Sequence, residues 1–80
     1  MQKLAKKDLH LMGSAGSLET LKKLIIEKLY WGSVEVTKSP VFESRLGECY
    51  SVANGTGIIT DMVIICGKNG RWSLYKIEIQ

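Results

Sequence analysis

Asn69-Gly70 separates two β-rich runs, residues 62–68 and 71–79, that are apolar on both faces. An Asn-Gly pair supplies the two positive-φ positions of a type I′ turn, the two-residue connection whose twist matches that of a β-hairpin. This turn sets Lys68 opposite Arg71. Counting outward, it pairs Cys66 with Ser73, Ile65 with Leu74, Ile64 with Tyr75, Val63 with Lys76 and Met62 with Ile77. Strand side chains alternate, so one face carries Met62, Ile64, Cys66, Tyr75, Ile77 and Ile79 and is expected to be core. The other carries Val63, Ile65, Trp72 and Leu74, with Lys76 and Glu78 farther along. A bulge or one-residue slip exchanges the two sets. Asp61 would also oppose Glu78, an unfavourable pair of like charges that predicts fraying or a bulge there.

Eighty residues make a single domain, 1–80, with a thin core, because small domains bury a smaller fraction of their surface. With 45% hydrophobic and 24% charged residues and one proline, the chain has the composition of a folded protein. Its longest uninterrupted apolar run, Met62 to Cys66, is far too short to cross a bilayer. The N-terminal lysines lack the apolar stretch of a signal peptide, so no membrane association and a cytoplasmic location are expected. In that compartment Cys49 and Cys66 stay as free thiols. Export would instead allow them to pair and the Asn54-Gly55-Thr56 sequon to carry a glycan. The net charge of +3 comes mostly from Lys3, Lys6 and Lys7 and favours an acidic partner.

Residues 1–16 form an arm that reads either as a short helix gathering Met1, Leu4, Ala5 and Met12, or as a strand at Leu9 and Leu11. The segment Gly13 to Gly16 reads as a flexible break. Ser17 then stands as N-cap of the main helix, residues 17–31, whose stripe is Leu18, Leu21, Ile25 and Leu29, widened by Leu24 and Ile26. Gly32 is placed for a left-handed helix end. Residues 33–80 supply the sheet. Val34 and Val36 alternate as a half-buried strand, Ser39-Pro40 ends it, Phe42 to Gly47 is a loop or edge excursion, and Cys49, Tyr50 and Val52 form another strand. The expected class is α+β, with one amphipathic helix packed on an antiparallel β-meander of three to five strands ending in the C-terminal hairpin. One helix covers one sheet face. Part of Val63, Ile65, Trp72 and Leu74 is therefore expected to stay exposed, as interaction surfaces do.

No catalytic constellation converges. The GSAGS loop lacks the Walker and dinucleotide patterns, and His10 is the only histidine. A zinc site would need Cys49, Cys66, His10 and a carboxylate from distant segments. No cofactor, metal or enzyme activity is expected. Two binding roles follow. In the first, the apolar face is a protein-docking patch centred on Trp72, with Val63, Ile65 and Leu74 and a rim of Lys68, Arg71 and Lys76. In the second, Arg71, Trp72, Tyr75 and Lys76 interleave cations with aromatic rings as a nucleic-acid stacking platform, aided by Lys3, Lys6 and Lys7. A homodimer through the sheet is a third use of the same face.

Small size, the helix opened by Ser17-Leu18-Glu19, the strand GSVEVTKS and the hairpin NGRWSLYKI give residues 17–79 a resemblance to compact phage-encoded inhibitors, anti-CRISPR proteins among them. The resemblance is architectural and assigns no residue a role. It implies a non-enzymatic inhibitor of a host defence complex that occludes a surface of a protein or ribonucleoprotein partner. The positive charge sets this chain apart from acidic DNA mimics.

Overall fold

The computed structural model describes residues 1–78, so Ile79 of the expected core face lies outside the described residues. The elements in order are β1 (Gln2–Lys3), a 3-10 turn (Lys6–Asp8), β2 (Leu9–Ala15), α1 (Leu18–Leu29), β3 (Glu35–Lys38), β4 (Phe42–Glu43), β5 (Gly47–Asn54), β6 (Gly57–Ile58), β7 (Met62–Gly67) and β8 (Trp72–Ile77). The fold is α+β, one helix on a sheet whose strands run β2-β8-β7-β5-β3, all antiparallel, with short β6 added to β5. Sequence patterning predicts three to five strands; the described residues form six in this sheet. A separate two-residue parallel ladder joins β1 to β4.

The extra strand comes from the N-terminal arm. Leu9 pairs with Ile77 and Leu11 with Tyr75, so β2 closes the edge that β8 would otherwise leave open. Leu4 and Met12, grouped by the helical alternative, pack in different cores. The expected flexible break at Gly13 to Gly16 is also corrected, because Gly13, Ser14 and Ala15 pair with Leu74, Ser73 and Trp72. Gly13 serves close packing: a Cβ there would lie 2.8 Å from Leu24 Cδ2 of α1. The register shifts between Leu11 and Gly13, and Lys28 Nζ donates to the Met12 carbonyl at this bulge.

Ser17 caps α1, its Oγ accepting from Thr20 N at 3.2 Å. Leu21 and Ile25 are fully buried, each worth about 1.5–3 kcal/mol of apolar transfer. The helix does not run on to Gly32. Tyr30 takes the left-handed conformation at φ 56° and ψ 35°, and Gly32 has no positive φ. The physical reason is the next residue: Trp31 packs against the core under α1, so the chain must turn immediately before it.

The hairpin departs from the two-residue turn by one position. Gly70 has φ +82° while Asn69 has no positive φ, so the connection is the three-residue loop Lys68-Asn69-Gly70. Gly67 N donates to the Arg71 carbonyl at 2.8 Å, and Arg71 N donates to Asn69 Oδ1 at 3.0 Å. Ile64 therefore faces Leu74, Ile65 faces Ser73 and Cys66 faces Trp72. This register also removes the Asp61–Glu78 clash: Ile77 N donates to the Asp61 carbonyl, and Glu78 N to that of Asp8.

The slip exchanges half of each expected face. Leu21 and Ile25 of α1 pack on Ala15, Val52, Ile64 and Leu74 of the sheet, flanked by half-buried Met62 and Trp72. On the other side Leu4, Cys49, Val63 and Ile65 form a second core, joined by Leu9, Phe42, Leu46, Tyr75 and Ile77. The cover on that side is the N-terminal arm together with the Phe42–Leu46 segment. Ser39 turns the chain toward it, its buried Oγ accepting from Phe42 N at 3.0 Å while its own N–H donates to the Cys49 carbonyl. No helix among the described residues is long and apolar enough to cross a membrane.

Candidate functional site

The residues expected to share one exposed patch are divided between two faces and mostly covered. Val63, Ile65 and Leu74 are 0%, 2% and 1% exposed. Val63 and Ile65 lie in the second core, whereas Leu74 lies under α1, because the three-residue loop moved β8 by one position against β7. The three aliphatic members of the expected patch are thus covered by the chain itself. Trp72 remains half-buried, its ring 5.2 Å from that of Tyr50 at 47°. The stacking platform is also divided: alternation along β8 puts Trp72 and Tyr75 on opposite faces, each joined to a different core.

The cations stay outside. Lys68 and Arg71 are exposed at the hairpin tip, and Lys76 is exposed at the other end of β8, opposite Met62 and His10. Cys49 and Cys66 are both free. They occupy opposite faces, since Cys49 pairs with Ile65 and Cys66 with Glu48 on adjoining positions of one ladder, so they do not meet in a disulfide or at a metal. Among the described residues no group of three or more His, Cys, Asp or Glu side chains gathers.

A concave site lies where the arm crosses the second face. A cleft of about 600 Å³ opens between Lys3–Lys6 on one wall and Glu43–Leu46 on the other. The walls are built by short-range backbone rules. Leu4 N donates to the Glu43 carbonyl at 2.8 Å, extending the β1–β4 ladder. Ser44 Oγ donates to the Leu4 carbonyl at 2.7 Å and accepts from Leu46 N at 3.1 Å, so one hydroxyl ties both walls together. Asp8 closes the turn that presents Lys6: its Oδ2 accepts from Ala5 N, and its N–H donates to the Ala5 carbonyl. Arg45 stands on the tight turn between Ser44 and Gly47, which are bridged to each other.

Charge in the cleft is uncompensated at short range. The one ion pair among the described residues is Lys38 Nζ to Glu48 Oε2 at 2.7 Å, outside this site. There the hydrogen bond and the charge of Glu48 hold Lys38 above the usual lysine range, but both groups are well exposed and the pair adds little stability. The base of the hairpin loop meets the edge of the cleft: a Cβ on Gly67 would lie 3.8 Å from the Leu46 carbonyl. Lys3 and Lys6 carry a recognisable sequence signal as part of the basic arm. Glu43, Ser44 and Arg45 carry none beyond their place in a loop, and nothing in the residue order shows that this loop meets the arm. In comparisons with known proteins, no family model, no curated protein and no solved structure matches this chain.

Proposed function

We propose that the chain is a non-enzymatic binding module that holds single-stranded nucleic acid at its cationic end. The observation that supports this is a gathering in space. The hairpin loop that carries Lys68 and Arg71 starts from Gly67, which pairs with Gly47 at the end of the turn bearing Arg45, and the cleft beside that turn takes in Lys3 and Lys6, with Glu43 as the acid lining it. Phosphate contacts of this kind dominate sequence-independent affinity and make it salt-dependent. Val63, Ile65 and Leu74, the aliphatic residues of the expected docking face, are meanwhile covered by the chain itself.

Fluorescence anisotropy with a labelled single-stranded oligonucleotide tests the proposal. Affinity should fall steeply between about 50 and about 200 mM salt, and replacing Lys68 and Arg71 with glutamate should weaken it by about tenfold or more. An oligonucleotide that does not bind at the lower salt concentration refutes it.

A second use is favoured by one specific feature. The half-buried Trp72, tilted against the ring of Tyr50 beside exposed Arg71, has the composition of a protein hot spot. On that basis the chain would be a protein-binding inhibitor of a host defence complex, with a footprint smaller than the expected patch. Trp72→Ala should then abolish capture of the partner complex while the fold survives.

A further inference from the structure

We infer that the cleft between the N-terminal arm and the Glu43–Leu46 turn is a nucleotide subsite, holding one phosphate and its attached nucleoside; this rests on the nucleic-acid reading and assigns it a place and a stoichiometry. Size is the first reason. About 600 Å³ lies within the range of small-ligand pockets, roughly 300–1,000 Å³, and a concave site of that volume admits one nucleotide unit. A duplex keeps its bases paired inside the helix and cannot place one there, whereas a single strand can.

Chemistry is the second reason. Lys3, Lys6 and Arg45 border the space, and no carboxylate among the described residues is within ion-pair reach of them. Arg45 can offer a planar fork of donors to a phosphate, and the two lysines offer mobile point charges. Leu46 is half-buried and contributes apolar wall against which a sugar or base can lie. Glu43 separates a nucleotide from a simple anion. Its carboxylate accepts a hydrogen bond from a sugar hydroxyl or a base amino group, groups that inorganic phosphate lacks. Cations with one acceptor suit a ligand that carries both an anion and a donor.

The site is also held in shape without ligand. Ser44 Oγ bridges the two walls, and the buried Leu4 anchors one of them in the second core. A preformed wall lowers the ordering cost of binding.

The test is an amide chemical-shift titration of the full chain with AMP, GMP, UMP and, separately, inorganic phosphate. Nucleotides should shift the amides of residues 3–6 and 43–46 and bind about tenfold or more tightly than inorganic phosphate. Arg45→Ala, at an exposed position that leaves the fold intact by its dispersed spectrum, should weaken nucleotide binding by about tenfold. Glu43→Ala should narrow the preference for nucleotide over phosphate. Shifts elsewhere only, equal affinity for inorganic phosphate, or binding unaffected by Arg45→Ala would each overturn the subsite. If oligonucleotide binding persists through Lys68 and Arg71 while the cleft amides stay unmoved, the subsite fails and the broader function stands. If neither oligonucleotide nor nucleotide binds, both fail.

Discussion

Gly47 lies against the backbone of Cys66 so closely that a Cβ on Gly47 would fall 2.0 Å from the Cys66 carbonyl oxygen and 2.7 Å from its carbon. The obstacle is backbone in the central β5–β7 ladder and cannot swing aside, and the φ of +154° at Gly47 is itself unfavourable for an L side chain. Gly47→Ala is expected to cost on the order of 3 kcal/mol. Denaturant unfolding of the variant would measure this, and a loss under about 1 kcal/mol would show that the close approach is not rigid.

Tyr30 ends the helix in a left-handed conformation while 92% exposed. A non-glycine residue there costs roughly 1–2 kcal/mol, part of which glycine gives back through greater unfolded-state entropy. With no side-chain burial to lose, Tyr30→Gly should raise stability by about 0.5–1 kcal/mol, and Tyr30→Ala should not. Thermal unfolding of the three proteins side by side checks the ranking.

Leu4 is 3% exposed and belongs to the second core with Cys49, Val63 and Ile65. If the arm is a true layer of the domain, Leu4→Ala should destabilise by about 2–4 kcal/mol, as buried leucines do. Lys7→Ala, three residues away on the exposed turn, should change stability by less than about 0.5 kcal/mol. Equal effects from the two would mean that the arm does not hold that face closed.

The two thiols should separate by reactivity. Burial first, then the charges of Glu48 and Glu43, push the Cys49 thiol above the usual range, whereas Cys66 is only partly covered. Alkylation with mass-spectrometric mapping should therefore modify Cys66 first and Cys49 only as the chain unfolds. Because folding raises the Cys49 value, its contribution is complete below the unfolded thiol range, roughly pH 8.5, and is lost as pH rises toward the folded value. Urea midpoints should accordingly decline on the alkaline side more in the native chain than in Cys49→Ser measured against its own neutral value.

Much of the fold was legible from local pattern. The stripe Leu18, Leu21, Ile25 and Leu29 and the cap at Ser17 need only residues within a few turns of each other, and they appear as α1. The strands at Val36, at Cys49 to Val52 and in the hairpin follow from alternation in the same way. Of the residues lining the cleft, Lys3 and Lys6 stand out in the sequence, because charge is visible in residue order. Arg45 and Glu43 do not, since their place depends on a loop folding back over the sheet and meeting an arm about forty residues earlier, as the Ser44–Leu4 hydrogen bond records.

Residue order alone determined that this chain has one amphipathic helix, an antiparallel sheet and a hairpin too apolar to stand bare. Only the tertiary structure decided what covers it. The difference between a two-residue and a three-residue loop at Asn69-Gly70 is small in local energy, yet it moves every β8 side chain to the other face relative to β7. Burial selects between the registers, since the observed one sends Ile64 and Leu74 beneath α1 and Val63 and Ile65 beneath the arm, and it keeps Asp61 away from Glu78. Val63, Ile64, Ile65 and Leu74 of the hairpin are covered inside the domain, while Lys68 and Arg71 stay exposed at its tip.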